Sequence, residues 1–408
     1  MAARESIRDY RVWLALPDGR LKQPVADFRL ETDERGRHRA SGLRYRQEWL
    51  SLPQSWPLNP AHAPLQPDPV EWVTREIPAL LDEVLPGQWE RAVRRQYAGG
   101  DYDIDDLHAM LSTPRSTWRV GAMEVLPLDM KPPPLASPLR FHDLEALARE
   151  AERITQFQHP EVQALARMQD GSSVGGARPK VLVEDDGAWL VKFNRADDAF
   201  DHARVEHACL LLAARAGIAV PESQVVSTGR SDALAVRRFD VTAAGGRNGL
   251  ISANALLKDR DTQADPPHPR YNDLVELIRI FGTAPRMDLA ELYARMLFNE
   301  CINNRDDHLK NFSFLQGPER FTLSPAYDLV PSEARGAWPQ LGFDYAVTLP
   351  KPGSESALKA ARAFQLTPSE AQDINDRLRE ALADANTVME EAGLAERERR
   401  FLAQRLCL

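Results

Sequence analysis

Three clusters of proline divide this chain of 408 residues and limit the folds that it can adopt. They lie at residues 53–69, 126–138 and 266–269. Proline removes a backbone N–H donor and disfavours helix in the residue before it, so such runs are typical of loops and linkers. The second cluster, LPLDMKPPPLASP, is therefore the predicted boundary between an N-terminal part and the rest of the chain.

Secondary-structure signals change in kind on the two sides of that boundary. Before it, short mixed patterns include a strand candidate at 12–16 and helical spacing at 77–85, which a Pro-Gly step should end. After it, strand candidates at 180–183 and 188–193 flank an Asp-Gly step, which is a hairpin signal. A helix is predicted over about 199–216, ending at a glycine.

Helices dominate from about residue 250 onward. Residues 288–303 place apolar side chains on one helical face. A capping box begins at Thr367 and predicts a helix that reaches about Glu391, followed by a last helix over 396–405. The element order therefore predicts an N-terminal unit, a small strand-rich lobe and a larger helical lobe.

The charge balance narrows the classes of partner. Lys and Arg total 51 and Asp and Glu total 60, which gives a net charge of −9. Affinity for nucleic acid rests on neutralising phosphates with basic side chains, so a free-standing nucleic-acid-binding protein is not expected. DNA contact within a complex stays open, because a partner could supply the basic surface.

The cysteine content and the hydropathy of the chain indicate its cellular compartment. The three cysteines form no CxxC pair and are odd in number, which excludes a disulfide framework and argues against a cysteine-built zinc site. The N-terminus shows no signal-peptide pattern, and the most apolar stretch, 208–220, is too short to span a bilayer. We therefore expect a cytoplasmic protein with no membrane partner.

The densest group of polar side chains is the stretch NNRDDHLKN at residues 303–311. Asp306 and Asn311 are five residues apart, the spacing of the HRDxxxxN loop of protein kinases. In that template the aspartate accepts the proton of the attacking hydroxyl, the asparagine holds Mg²⁺, and a second aspartate completes the metal site. Asp328 is suitably placed for the second role. The alternative is a solvated, charged helix end, which would explain the Asp-Asp-His step alone but not the spaced Asn311 and Asp328.

A second candidate element is the small-residue loop that leads to Lys180. Glycines before a strand let backbone N–H groups approach phosphates, although a flexible turn is the plainer interpretation. On the following hairpin Lys192 stands between apolar neighbours, as does the phosphate-binding lysine of kinases. It could also simply face water. Glu206 is a candidate ion-pair partner for it, or a plain surface carboxylate.

Taken together, these motifs resemble the HipA family of serine/threonine kinase toxins from bacterial type II toxin–antitoxin modules. The resemblance is most specific at RDDHLKNFSFL (305–315) and LSPAYDL (323–329). It continues through SVGGARPK, WLVKF, GIAVPE and ALAVRRFD, and at the N-terminus through ALLDEVLPGQW and RVGAMEVLP. It implies an α+β fold with a two-lobed protein-kinase-like core and an N-terminal mixed α/β subdomain. The implied parts are an N-terminal subdomain at 1–130, a kinase-like N-lobe with the phosphate loop at 140–245, and a helical C-lobe with the catalytic and metal-binding loops at 246–408.

The resemblance also implies roles for individual residues. Asp306 would be the catalytic base, Asn311 and Asp328 would bind Mg²⁺, and Ser173 or its neighbour Ser172 would be autophosphorylated, which switches the enzyme off. The implied ATP-binding residues are Gly175, Gly176, Ala177, Arg178, Pro179, Lys180, Lys192, Arg237, Arg238, Phe239, His308, Leu309, Lys310, Asn311, Tyr327 and Asp328. One departure is VRRFDV at 236–241, where the family has VERFDR, so an acidic side-chain contact to nucleotide is lost.

The implied function is phosphorylation of a cellular protein, with an aminoacyl-tRNA synthetase as one candidate target, in a growth-inhibiting toxin. The implied cofactors are ATP and Mg²⁺. The implied partner is a helix-turn-helix antitoxin, with DNA reached only through it. Two alternatives remain open: a small-molecule phosphotransferase, whose loop has similar D-x-x-x-x-N spacing, and a non-catalytic nucleotide-binding partner of an antitoxin.

Overall fold

The structure is a computed structural model, and it describes most of the chain. The described residues are 6–19, 22–97, 103, 106–112, 120–132, 139–156, 176–229, 231–258, 269–334, 337–344 and 348–407. The chain divides into two compact units. Unit 1 comprises residues 1–195, 238–259 and 315–319, and unit 2 comprises residues 196–237, 260–314 and 320–408.

Strands and helices alternate early, and helices prevail later. The strands are β1 (Ser6–Leu14), β2 (Gln23–Thr32), β3 (His38–Tyr45), β4 (Val70–Trp72), β5 (Met123–Pro127), β6 (Lys180–Glu184), β7 (Ala188–Phe193), β8 (Ser223–Ser227), β9 (Asp232–Arg237), β10 (Gly249–Ser252), β11 (Ser313–Gly317) and β12 (Arg320–Leu323). The α-helices are α1 (Gln47–Leu50), α2 (Ala79–Asp82), α3 (Gln88–Tyr97), α4 (Leu107–Ser112), α5 (Leu144–Thr155), α6 (His202–Arg215), α7 (Ala253–Leu257), α8 (Tyr271–Phe281), α9 (Pro285–Cys301), α10 (Glu355–Ala360), α11 (Pro368–Ala383), α12 (Ala385–Glu391) and α13 (Glu396–Ala403).

Unit 1 is built on a five-stranded sheet in the order β4-β3-β2-β1-β5, with antiparallel neighbours. Side chains on alternate positions of a strand share one face, so Tyr10, Val12 and Leu14 of β1 point into the same core. Phe28 and Leu30 of β2 join them, each at most 1% exposed. The strand candidate at 12–16 thus corresponds to the end of β1, which begins earlier, at Ser6, and ends at Leu14.

Unit 1 also contains the β6–β7 hairpin, which confirms the strand candidates at 180–183 and 188–193. Its turn places Asp186 at φ 48° and Gly187 at φ 119°. Positive φ is tolerated by aspartate and is free of steric cost for glycine, which explains why the Asp-Gly step predicted this turn.

Unit 2 contains predicted helices, and two of the predicted end signals are present. Asp201 caps α6 by accepting a hydrogen bond from the N–H of Arg204, and Gly217 follows the helix at φ 81°. Thr367 and Glu370 form the predicted capping box at the start of α11. Of the helices in the described ranges, none is long and apolar enough to cross a membrane.

Two helices differ from the prediction. The helix expected over 77–85 is a single turn, α2 (Ala79–Asp82), which Pro78 precedes and Glu83 caps. The helix expected to reach Glu391 is interrupted at Asp384, whose carboxylate pairs with Arg215 of α6. The backbone of Asp384 leaves the helical conformation at φ −91° and ψ 10°, whereas the residue pattern continues through it and predicted one continuous helix.

Candidate functional site

The stretch 303–311, named here the polar segment, turns away from the end of α9. Asn303 adopts φ 54°, a left-handed conformation that asparagine tolerates better than most residues. The side chain of Asn304, 2% exposed, donates to Oδ1 of Asn299 at 3.1 Å and accepts from the N–H of Asp306 at 3.1 Å. Both polar groups of this buried amide are therefore hydrogen-bonded, and these bonds fix the path of the main chain as it leaves α9.

Asp306, the predicted base, is exposed, and both its main chain and its carboxylate are positioned by hydrogen bonds. Its carbonyl oxygen accepts from Nδ2 of Asn311 at 2.9 Å and from the N–H of His308 at 2.9 Å. Its Oδ1 accepts from Nε2 of Gln340 at 3.0 Å. One carboxylate oxygen is thus oriented by an amide.

Tyr327 joins the two predicted metal ligands through their chain neighbours. Its hydroxyl donates to the carbonyl oxygen of Lys310 at 2.8 Å and lies 2.6 Å from Oγ of Ser313. Lys310 precedes Asn311, and Tyr327 precedes Asp328, which adopts φ 60°. Left-handed backbone at a non-glycine residue persists only where the surroundings impose it, and such residues cluster at functional sites.

Asp307, next to the predicted base, has a different environment. It is 1% exposed and accepts hydrogen bonds from the hydroxyl of Tyr271 at 2.9 Å and from the N–H of Gln340 at 3.2 Å. Nδ2 of Asn299 donates to the same tyrosine hydroxyl at 3.0 Å. Burial raises the pKa of Asp307 to about 7, although the hydrogen bonds from Tyr271 and from the N–H groups of Leu341 and Gln340 act against that shift. Asp307 therefore anchors the polar segment to Tyr271 and Gln340 through hydrogen bonds, and its side chain is not open to solvent.

Three other predicted nucleotide contacts lie in the same segment. His308 and Leu309 are half-buried, and Lys310 is exposed. Nδ1 of His308 is buried and has no hydrogen-bond partner among the described residues. A buried polar atom without a partner is costly unless a bound group satisfies it, so this nitrogen fits the expected ligand pocket.

Unit 1 holds the residues predicted to bind phosphates. Trp89 of α3 spans the loop, because its N–H donates to the carbonyl oxygen of Gly176 at 3.0 Å and its ring Nε1–H donates to that of Lys180 at 2.9 Å. Lys180 lies directly opposite Lys192 in the β6–β7 pairing. Opposed residues of an antiparallel pair have adjacent side chains, so two positive charges share one face of the hairpin.

The remaining loop positions divide between described and undescribed residues. Ala177 is exposed, Arg178 is half-buried, and the carbonyl oxygen of buried Pro179 accepts from the N–H of Phe193 at 2.9 Å. The predictions at Ser172, Ser173 and Gly175 lie outside the described residues.

Two alternatives weighed for charged side chains are wrong. Lys192 does not face water, because it is 8% exposed. Glu206 of α6 is not a surface carboxylate, because it is 4% exposed. Lys and Glu side chains are rarely buried to this degree unless they are paired. Neither Lys192 nor Glu206 is therefore a solvated surface charge.

The charged side chains of the predicted ATP-binding residues 237–239 are paired with carboxylates. Arg237 is exposed, with its guanidinium 3.6 Å from the carboxylate of Glu222, and its N–H donates to the carbonyl oxygen of Glu222 at 2.8 Å. The side chain of Arg238 is buried against Asp240, with an N–O distance of 2.6 Å. Burial opposes the ionisation of Asp240, yet Arg238 holds the pKa of that carboxyl below its usual value. A nucleotide contact of Arg238 would therefore come from its backbone, as it would for half-buried Phe239.

The structure thus gathers the predicted residues into two sets, one in each unit. It also adds Gln340, Tyr271 and Trp89, to which sequence analysis assigned no role. Gln340 and Tyr271 lie 34 and 36 residues from their aspartate partners, in stretches without a motif. Trp89 stands within one of the N-terminal family motifs, which is the one signal that could have pointed to it.

Comparison with known proteins gives one family. The HipA-like C-terminal domain matches residues 172–386. Two relatives from Sinorhizobium fredii are named as candidate kinases. Y4mE is 27% identical over 374 residues, which are 85% of this chain and 82% of Y4mE. Y4dM is 31% identical over 159 residues, which are 35% of this chain and 37% of Y4dM.

A solved structure is similar in fold. It comes from the complex of HipA and HipB of Shewanella oneidensis MR-1 with operator DNA, and it aligns with a TM-score of 0.64 and 19% identity. The alignment covers 96% of this chain and 94% of that chain. The predicted α+β, protein-kinase-like fold is thereby confirmed.

Proposed function

This chain belongs to the HipA-like family, and we propose that it is an ATP- and Mg²⁺-dependent serine/threonine protein kinase that acts as the toxin of a toxin–antitoxin module. The proposal is supported by the family match over residues 172–386 and by the candidate-kinase names of two relatives. The proposed parts are those expected from the sequence: an N-terminal subdomain at 1–130, a nucleotide-binding lobe at 140–245 and a helical lobe at 246–408.

The proposed general base is Asp306. Its carboxylate is exposed, so a substrate hydroxyl can reach it, and one oxygen is held by Gln340. In transfer of a phosphoryl group the base takes the hydroxyl proton as the oxygen attacks, and little further covalent work falls to the protein. Asp307 is not proposed for this role because it is buried beneath the segment.

The residues proposed to hold Mg²⁺ fit a hard cation. Nδ2 of Asn311 donates to a carbonyl oxygen, which fixes the orientation of the amide and leaves Oδ1 as its free ligand atom. Asp328 would supply a carboxylate oxygen. Mg²⁺ takes oxygen ligands, typically one or two from protein with phosphates and waters completing the set. When bound, it would neutralise charge on the phosphate oxygens.

Lys192, Lys180 and the loop at 175–180 are proposed to bind the phosphates. The two lysines place positive charge on one face of the hairpin, and Trp89 holds the main chain of the loop. Residues 237–239 are proposed to contact adenine through their backbone, and His308 to Asn311 with Tyr327 are proposed as further nucleotide contacts. Nδ1 of His308, which is buried and has no partner among the described residues, supports its assignment.

The observation that carries the proposal is the hydrogen bond from Nδ2 of Asn311 to the carbonyl oxygen of Asp306, together with the bridge through Tyr327. These contacts support the proposal that Asp306, Asn311 and Asp328 act together as the base and the two magnesium ligands. Replacing Asp306 by Asn should lower the rate of phosphate transfer by about 10²–10⁴-fold, the contribution typical of a general base, and abolish growth arrest. Purified protein is incubated with labelled ATP, and a fully active variant would show that the base is elsewhere.

Autophosphorylation on Ser173 or Ser172 is the proposed off-switch. A phosphate adds about two negative charges, which would repel ATP phosphates at the same loop. Intact mass after expression should show one added phosphate in the wild type and none in Asp306→Asn. Peptide mapping then identifies the modified serine. If incubation with labelled ATP labels a small-molecule acceptor and not the protein, a small-molecule phosphotransferase is favoured.

The proposed partners are a protein substrate, with an aminoacyl-tRNA synthetase as one candidate, and a basic helix-turn-helix antitoxin. The related HipA of S. oneidensis was solved with HipB and operator DNA. A net charge of −9 supports DNA contact only through that partner, in the cytoplasm. In a gel-shift assay the protein alone should not shift operator DNA, whereas the protein with its antitoxin should.

A further inference from the structure

Unit 2 brings two of the three cysteines together, and neither has a role in the proposed reaction. The sulfur atoms of Cys301 and Cys407 lie 3.0 Å apart. The N–H of Cys407 also donates to the carbonyl oxygen of Cys301 at 2.9 Å, so the backbones themselves are in contact. All three cysteines are free thiols, and the third, Cys209, is buried on α6.

The two thiols of the pair have different reactivities. Cys301 is fully buried, and burial raises its pKa well above the usual value. Cys407 is half-buried, and its hydrogen bond with Cys301 lowers its pKa. The thiolate is the nucleophile in thiol chemistry, and an accessible thiol of low pKa beside a second cysteine is typical of redox-responsive sites.

We propose that Cys301 and Cys407 form a reversible disulfide by exchange with a low-molecular-weight disulfide such as oxidised glutathione. The thiolate of Cys407 attacks one glutathione sulfur, which forms a mixed disulfide and releases a first glutathione thiolate. Cys301 then gives its proton to that leaving thiolate and attacks the sulfur of Cys407, which releases the second glutathione. The protein dithiol is oxidised, one glutathione disulfide is reduced to two thiols, and the reverse exchange with excess glutathione restores the thiols.

A disulfide between Cys301 and Cys407 would fix the chain where α9 ends and the polar segment begins. Cys301 is the last residue of α9, and Arg405 donates to the carbonyl oxygens of Ser332 at 2.9 Å and Glu333 at 2.5 Å. The N–H of Ser332 donates to the carbonyl oxygen of Asn303 at 2.9 Å. Oxidation would make covalent a junction that hydrogen bonds already hold, across 106 residues of sequence. Cross-links over long separations restrict the unfolded chain most strongly.

The test uses the full-length protein, with no ATP, so its outcome is independent of the proposed kinase activity. Wild type is equilibrated with oxidised glutathione, alkylated, digested without reductant and analysed by mass spectrometry. The expected product has lost two hydrogen atoms, links the peptides of Cys301 and Cys407, and retains one alkylated thiol at Cys209. The unfolding midpoint should rise by several degrees on oxidation and return after reduction.

Variants separate the two steps. Cys209→Ser should form the same cross-link, Cys301→Ser should stop at a glutathione adduct on Cys407, and Cys407→Ser should give neither. The proposal is overturned if oxidised wild type keeps three free thiols, keeps glutathione on Cys407 with Cys301 unreacted, or links Cys209. If a serine variant does not fold, the peptide map of the wild type still decides.

Discussion

The N-terminal sheet and the polar segment both contain buried side chains, but different kinds of interaction hold those side chains in place. Leu30 of β2 is 0% exposed within an apolar core, whereas Asn304 and Asp307 are 2% and 1% exposed within a set of hydrogen bonds. Burial of an apolar side chain stabilises by roughly 25 cal/mol for each Å² removed from water. Burial of a polar group costs free energy unless it is hydrogen-bonded, and it then contributes little net stability.

The difference assigns distinct tasks to the two regions. Apolar contacts in the sheet are non-directional, so they hold the fold without orienting a reacting group. Hydrogen bonds in the polar segment are directional, so those made by the side chains of Asp306 and Asn311 set where these groups point. Substitutions in the sheet should therefore change stability, and substitutions that disturb Asp306 or Asn311 should change phosphate transfer.

The largest effect is expected from Leu30→Ala in the sheet. Removal of a fully buried leucine should lower the free energy of unfolding by about 2–5 kcal/mol, because a cavity remains. The rate of phosphate transfer per folded molecule should not change. Denaturant titration and an ATP assay measure the two quantities, and Ile7→Ala on β1, where the side chain is 61% exposed, is the matched control. A lower rate per folded molecule in Leu30→Ala would break the comparison.

The next effect concerns pH and Asp307. Burial raises the pKa of this carboxyl from 3.8 to about 7, so the folded state keeps a proton that the unfolded state has lost between those values. Its contribution to the free energy of unfolding is therefore present below about pH 4 and falls by roughly 1.4 kcal/mol per pH unit until pH 7. Asp307→Asn should remove this slope, whatever the overall stability of the variant. Urea titrations at several pH values measure it, and equal slopes in both proteins would contradict the assignment.

A smaller effect is expected from Gln340→Ala. Loss of the amide that orients Asp306 should lower kcat about tenfold, which is about 1.4 kcal/mol of barrier, without changing KM for ATP. Gln340→Glu should move the pH optimum of the rate upward, because two carboxylates would face each other. An unfolding midpoint that falls while kcat per folded molecule stays constant would show that Gln340 is only structural.

The smallest effect is expected from Tyr327→Phe. The hydroxyl ties Ser313 and Lys310 to the chain beside Asp328, so its loss should loosen the two predicted magnesium ligands relative to each other. The Mg²⁺ concentration for half-maximal rate should rise severalfold, on the scale of a lost hydrogen bond. Tyr293→Phe, whose hydroxyl bonds to Ala357 away from the segment, is the control. An identical Mg²⁺ requirement in wild type and Tyr327→Phe would mean that the bridge does not set the metal site.

Local signals predicted much of the fold. The Asp-Gly hairpin, Gly217 after α6 and the capping box at Thr367 are confirmed because a few neighbouring residues determine each of them. The interruption at Asp384 was missed because the helical pattern continues on both sides of this residue. The site roles stay predictions, although the spaced Asp306, Asn311 and Asp328 were found from the sequence.

The sequence by itself determined the order of elements, the Asp306–Asn311 spacing and the family, because these depend on residues close together in the chain or on motifs as a whole. Only the tertiary structure showed that Asp306 is exposed and that its neighbour Asp307 is buried. It alone brought Gln340 to Asp306 and Cys407 to Cys301. The reason is physical: burial and hydrogen-bond partners come from residues tens of positions away, and no local periodicity records them.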